Sequence, residues 1–282
     1  MATPLTPVKT GVAYRLELAS WVMSRPPEVA MLEITAEHFY RVGSAPLQRL
    51  AASYPLIVST SRLSLGTPGP LDRTELDAFG RVAAAAEPLW ICDHLGFRRT
   101  GALDLGGPQP VALTAETLTH FVEHGREVMA RYGKRLLLGN IASHLRVSGA
   151  IPEPEFLNRF CAQTGGGVAL DLTNLTVNAR NHRFDPRAWL RSVEPGLIAM
   201  LRAGGCARED SRWVPRHDTA IDEGVWDLVA EACRLAPEAA RILVRDANLP
   251  SPADLSAELR RLGAVGASSA DAVPGDATRG AR

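Results

Sequence analysis

Asp171 follows the short apolar run Val168–Leu170 and is followed closely by Asn174. A run of that length reads as a buried strand. A carboxylate at the carboxyl end of a buried strand is costly unless it is paired, hydrogen-bonded or holding a metal. Two histidines could share its chemistry: His94, after the apolar run Leu89–Cys92, and His217, in the polar segment Arg212–Asp218. Two imidazoles and a carboxylate suit a mononuclear iron or similar divalent ion with open positions, provided three distant loops converge. Each residue also has a plainer use. His94 can be a hydrogen-bonded structural histidine beside Asp93. Asp171 can accept backbone N–H bonds from the turn through Asn174. His217 can be a solvated loop residue, and Asn178, Asn181 and His182 read as turn composition.

The elements that must position these groups are short apolar runs at Val12–Leu16, Ala30–Ile34, Leu56–Ser59, Leu89–Cys92, Arg135–Leu138, Val168–Leu170, Leu197–Leu201 and Ile242–Val244. They lack clean alternation, as expected of strands covered on both faces. Helical periodicity follows most of them, with readable ends: Asp72 with Glu75 as a capping box, Thr114 as an N-cap with Gly133 as the stop, Asp222 as an N-cap, and Ser251-Pro252 opening a helix that ends at Gly263. Eight βα units predict a single (β/α)8 TIM barrel over residues 1–263. An open doubly wound sheet is the competitor, but no GxGxxG or GxxxxGK[ST] follows the first strand. The segment 264–282 is small and polar and is expected to be a disordered tail.

In such a barrel the strand ends share one mouth, where active sites are built. They bring Glu33, Thr35, Glu37 and His38 after the second strand and Ser59 and Thr60 after the third. Asn140 and Ser143 follow the fifth, Arg202 the seventh, and Arg245, Asp246 and Asn248 the eighth. Glu33 and Glu37 alternate with apolar residues, so either could pair with an arginine in the mouth. Lys+Arg and Asp+Glu are both 31, giving a net charge of +0 and no reason to expect nucleic acid or an anionic membrane as partner. The four cysteines are far apart and form no CxxC, the pattern of reduced thiols in a cytoplasmic protein. The N-terminus has no apolar h-region, and no run is long enough to cross a bilayer.

Several short motifs read together resemble the DUF692 family, also called the multinuclear non-heme iron-dependent oxidative enzymes. They are Leu32-Glu33-Ile34-Thr35-Ala36-Glu37, Leu63-Ser64-Leu65-Gly66, Asp93-His94-Leu95, Leu136-Leu137-Leu138-Gly139-Asn140, Leu170-Asp171-Leu172-Thr173-Asn174, Asn181-His182 and Asp246 to Pro250. The resemblance runs from about residue 11 to 262, in the family's order. It implies a TIM barrel, two or three iron ions, and oxygen-dependent modification of ribosomally made peptides, often at cysteine. It also implies a partner protein that binds the precursor's leader segment.

Carried over position by position, the resemblance retains three of the family's iron ligands, His94, Asp171 and His217, together with the flanking Asn140 and Asn174. The other ligand positions fall on Ser59, Gly139, Leu201, Gly205, Pro215 and Val244, none of which replaces His, Asp or Glu. Arg202 stands beside the lost histidine position, and a guanidinium repels cations. Three expectations follow. The first is a barrel without the multinuclear site and with no cofactor. It would bind or present a precursor peptide, or accompany a leader-binding partner or catalytic paralogue, through Glu33, Glu37, Arg202, Arg245 and Asp246. The second is a single iron on His94, Asp171 and His217. The third is a metal-free enzyme acting on a small polar ligand.

Overall fold

The computed structural model describes residues 9–101 and 103–266. Eight strands are numbered here in chain order: β1 Thr10–Ala13, β2 Met31–Thr35, β3 Leu56–Ser59, β4 Trp90–His94, β5 Arg135–Gly139, β6 Gly167–Asp171, β7 Ile198–Ala203 and β8 Ala240–Leu243. Each pairs in parallel with its sequence neighbours, and β8 returns to β1, so the sheet closes. The helices are α1 Ala19–Met23, α2 Ser44–Ser53, α3 Arg73–Ala86, α4 Ala115–Tyr132, α5 Glu153–Thr164, α6 Leu172–His182, α7 Pro186–Arg191, α8 Glu223–Leu235 and α9 Pro252–Ala264. This is the expected (β/α)8 barrel, with every predicted strand placed within a few residues.

Alternation along the strands sorts residues to the two faces. Met31, Ile57, Cys92, Leu137, Ala169, Met200 and Ile242 fill the barrel's interior. The intervening Leu32, Ile34, Val58, Ile91, Leu138, Leu170 and Leu243 pack outward against the helices. That phase points Glu33, two residues after Met31, inward, and points Arg202 inward after Met200. The register then sets Asp171 beside Arg202 and His94 beside Gly139.

The helix starts follow from their caps. Asp72 accepts from Thr74 N at 2.8 Å, Thr114 from Thr117 N at 3.1 Å, Asp222 from Val225 N at 2.9 Å and Ser251 from Asp254 N at 3.2 Å. Two details differ from the sequence reading. Glu75 does not reach back to complete a capping box, because Arg62 and Arg99 hold its carboxylate. Gly263 lies inside α9, and the left-handed glycine is Gly266, at φ 81°. The expected tail from 264 lies, beyond residue 266, outside the described residues.

Two features had no counterpart in the sequence reading. Antiparallel hairpins follow β4 (Phe97–Thr100 with Leu103–Gln109) and β7 (Cys206–Glu209 with Arg212–Pro215). Helix α6 springs directly from β6 and braces the loops on either side. Asn178 accepts from Ser143 N at 2.9 Å and donates to Ile141 O at 2.7 Å, and Asn181 exchanges two 2.8 Å bonds with the Trp213 backbone. Asn178, Asn181 and His182 are therefore helical residues with specific partners, not turn composition. Among the described residues no helix is long and apolar enough to cross a membrane, and all four cysteines are free and buried.

Candidate functional site

The carboxyl ends of the strands open into a cavity of about 200 Å³ whose lining includes Glu33, Ser59, His94, Asp171, Asn174, Arg202, His217 and Asp246. These eight residues, each read from the sequence as a strand-end group, thus share one cavity. The centre of it is an ion pair. Arg202 Nε donates to both oxygens of Glu33, at 3.0 and 2.9 Å, and its Nη2 and the Ser59 hydroxyl also donate to Oε1. Glu33 is 5 % exposed and Arg202 7 %. Burial alone would push the Glu33 carboxyl up, but Arg202 and Ser59 carry it below its ordinary value.

Asp171 is buried beside this pair, and burial raises its carboxyl although His217, the Asn174 N–H and Arg202 pull the other way. Its Oδ1 accepts from Asn174 N at 2.8 Å and caps α6. This is one of the two uses that the sequence leaves open for Asp171. His94 donates its backbone N–H to Asp93 Oδ1 at 2.7 Å, and its Nδ1 lies 3.1 Å from Thr60 O, which requires that nitrogen to carry the proton. His217 packs on Gly204, where a Cβ would come within 2.4 Å of Nδ1. That nitrogen is buried and has no hydrogen-bond partner among the described residues.

Three expected contacts lie elsewhere. Arg245 points outward to Glu258 on α9, at 2.6 to 3.0 Å, because Val244 takes the inward phase. Asn140 is 1 % exposed and ties β5 to β6, donating to Asp171 O and accepting from Asp171 N. Glu37 is turned away from the cavity and accepts from Thr60 Oγ1 at 3.0 Å and Ser61 N at 2.9 Å. Behind it, Glu37 Oε2, Tyr40 Oη and Asp93 Oδ2 are buried without partners. Arg15 was missed; it anchors Asp246 at the rim, and only its position two residues beyond the inward Ala13 could have announced it.

The donor set decides what the mouth can hold. Among the described residues no group of three or more His, Cys, Asp or Glu is arranged to hold a metal ion. His94, Asp171 and His217 line one cavity without forming such a group. Gly139 and Val244 offer no side-chain donor, and the guanidinium of Arg202 fills the space at Gly139, its Nη1 3.2 Å from where a Cβ would stand. The residues present do not fit a multinuclear iron centre.

Fold and site together define a TIM-barrel protein with a charged, ion-paired mouth at the carboxyl ends of its strands. Over residues 9–267 the chain matches the family described as RiPP precursor modification enzyme MbnB/TglH/ChrH, and it belongs to that family. A UPF0276 protein of Bordetella parapertussis is 30% identical over 270 residues, covering 93% of each chain. Another from Neisseria gonorrhoeae is 30% identical over 261 residues, covering 89% of this chain and 93% of its own. The fold is shared with a xylose isomerase domain containing protein of Salmonella typhimurium (TM-score 0.62, 10% identity, 92% of this chain and 97% of that one). It is shared also with a D-psicose 3-epimerase of Clostridium cellulolyticum (TM-score 0.59, 13% identity, 91% and 96%).

Proposed function

We propose that this chain is a binding member of its family. It would hold or present a precursor peptide, or accompany a leader-binding partner or catalytic paralogue, in a cytoplasmic ribosomal-peptide pathway, without multinuclear-iron oxidation. The observation that carries the reading is the Arg202–Glu33 pair. A cluster of two or three cations needs anionic ligands around it, and the most buried acid lining the cavity is already neutralised by a fixed guanidinium. The positions that the family resemblance assigns to ligands and that fall here on Ser59, Gly139, Leu201 and Val244 support the same reading.

One observation favours a second reading, a single metal ion on His94, Asp171 and His217: the buried and unpartnered Nδ1 of His217. Against it stands the lack of a convergent three-donor set. The test is metal content. The protein is expressed in iron-supplemented medium, purified without oxygen, and assayed for metal per chain. Substoichiometric metal supports the binding role. Two or more tightly held irons overturn it. One iron, lost in His94→Ala, establishes the second reading instead.

A further inference from the structure

We propose that the chain docks an extended peptide carrying acidic residues at one end and apolar residues along the rest, in a continuous groove beside the mouth. This rests on the peptide-binding reading above and names the chemistry and place of the contact. Two cavities meet at His182, which lines both. The first, about 410 Å³, lies between the end of α6 and the hairpin after β7; it is walled by Arg180, Arg183, Arg208, Arg212, His144 and Trp213. The second, about 780 Å³, runs along the loop after β5; its wall includes Leu113, Ile141, Val147, Ile151, Phe184 and Trp189.

The basic pocket has cations without counter-ions. Arg180 is paired with Asp222 at 2.7 Å and stacks on Trp213 at 4.1 Å from the ring centre. Among the described residues no ion pair reaches Arg183, Arg208 or Arg212, and the nearby Glu209 is turned to Arg216 at 2.6 Å. In a chain of net charge +0, such a concentration of unpaired guanidinium groups in one concavity is a local positive field that draws anions. Planar guanidinium forks match carboxylates in bidentate geometry. Arg183 occupies the left-handed position that ends α6, at φ 58°. A glycine there would avoid a strain of about 1 kcal/mol.

The groove fixes the rest of the ligand. Leu145 and Val147 stand 63% and 42% exposed on its rim. Alternate side chains of an extended peptide fit such a wall. This stretch holds one cation, Arg146, beside Glu153 and Asp185, against four guanidinium groups in the basic pocket, so the ligand's carboxylates belong at the basic end. A nucleic acid fits less well, because its next phosphates would meet a largely apolar wall and Asp185 and because Arg180 already covers the Trp213 ring.

The experiment is fluorescence anisotropy with a labelled peptide of roughly twelve residues, four acids at one end followed by Leu, Val and Phe. The controls are the same peptide with lysine for each acid, and single-stranded DNA of equal length. Tight, salt-sensitive binding of the acidic peptide is expected, weakened about tenfold or more by the double variant Arg208→Glu with Arg212→Glu. Val147→Asp should weaken it through the apolar end. Arg183→Gly relieves backbone strain, so a severalfold loss in that variant cannot come from misfolding. Absence of binding, equal binding of the lysine peptide, preference for DNA, or indifference to these substitutions would overturn the inference. Metal content separates this from the reading it rests on. Bound iron with peptide binding intact overturns the metal-free role and leaves the dock, whereas no iron and no binding removes the dock alone.

Discussion

Nε of Arg202 on β7 donates to both carboxylate oxygens of Glu33 on β2, at 3.0 and 2.9 Å, across 169 residues of chain. The two strands are not neighbours in the sheet, so the side chain of Arg202 crosses the interior to reach its partner. A buried pair of this kind recovers its desolvation cost only with good geometry and further hydrogen bonds. Ser59 supplies one of those bonds. The pair thus plugs the mouth with satisfied charge, where the family resemblance implies a cation cluster.

Removing one partner leaves the other as an uncompensated buried ion. Arg202→Met should destabilise the protein by about 3–5 kcal/mol, read as a lowered urea midpoint at pH 7. Adding Glu33→Gln should restore most of that loss, because the stranded charge is gone. If the double variant is no more stable than the single one, the pair is not coupled as the distances require.

Much of this was legible in the sequence. The strands announced themselves because buried parallel strands are short apolar runs with polar ends. The sequence allowed either Glu33 or Glu37 to pair with an arginine in the mouth; Glu33 does, whereas Glu37 turns to Thr60 and Ser61. The failures have physical causes too. Arg245 was expected in the mouth because it follows a strand, but the inward phase belongs to Val244, and one residue of phase exchanges the two faces. The hairpin residues Arg208 and Arg212 are exposed and polar, so no burial pattern marks them as strand. Asn178 and Asn181 look like turn residues from composition; only the loops they brace explain them.

Gly204 is held to glycine by what surrounds it. A Cβ would stand 2.4 Å from His217 Nδ1 and 2.9 Å from Val244 O, and the second obstacle is backbone. Gly204→Ala should cost about 1–3 kcal/mol through overpacking and displace the His217 ring from Asp171. The check is a thermal melt together with the His217 imidazole resonances, which should shift in the variant. Unchanged resonances and stability would mean that the ring is not seated against this glycine.

Asp222 gives a pH signature. Burial works to raise it, but Arg180, the Cys206 thiol and the Val225 N–H overcome that and hold it at about 2. An unfolded Asp titrates near about 3.9. A depressed pKa stabilises the fold above the unfolded value, and the gain is lost as pH falls through the folded one. Asp222→Asn keeps an N-cap oxygen for α8 and should therefore cost about 1–2 kcal/mol at pH 7, allowing for screening, through the lost charge. The difference from wild type should shrink as the pH falls from about 4 towards 2. A cost that is constant with pH would mean that the low titration of Asp222 contributes nothing to stability.

Glu153 gives the opposite sign. It opens α5 in the wall of the apolar groove, and burial pushes its carboxyl up to about 7, against a weaker pull from the Trp189 side chain. An unfolded Glu titrates near about 4.3. Between those two values the folded state holds a proton that the unfolded state has released, so stability falls as pH rises. Glu153→Gln carries no such titration. At about pH 4 the two proteins should unfold at nearly the same urea concentration, and by about pH 8 the variant should be the more stable, by on the order of 1 kcal/mol once its partial exposure is allowed for. The first-turn position works the other way, since an anion there is favoured by the helix dipole. That term changes with Glu153 ionisation, so it reduces the gain at high pH without reversing the trend. A variant that stays less stable than wild type at every pH would show that the carboxylate is solvated and that the groove is wetter than its apolar wall indicates.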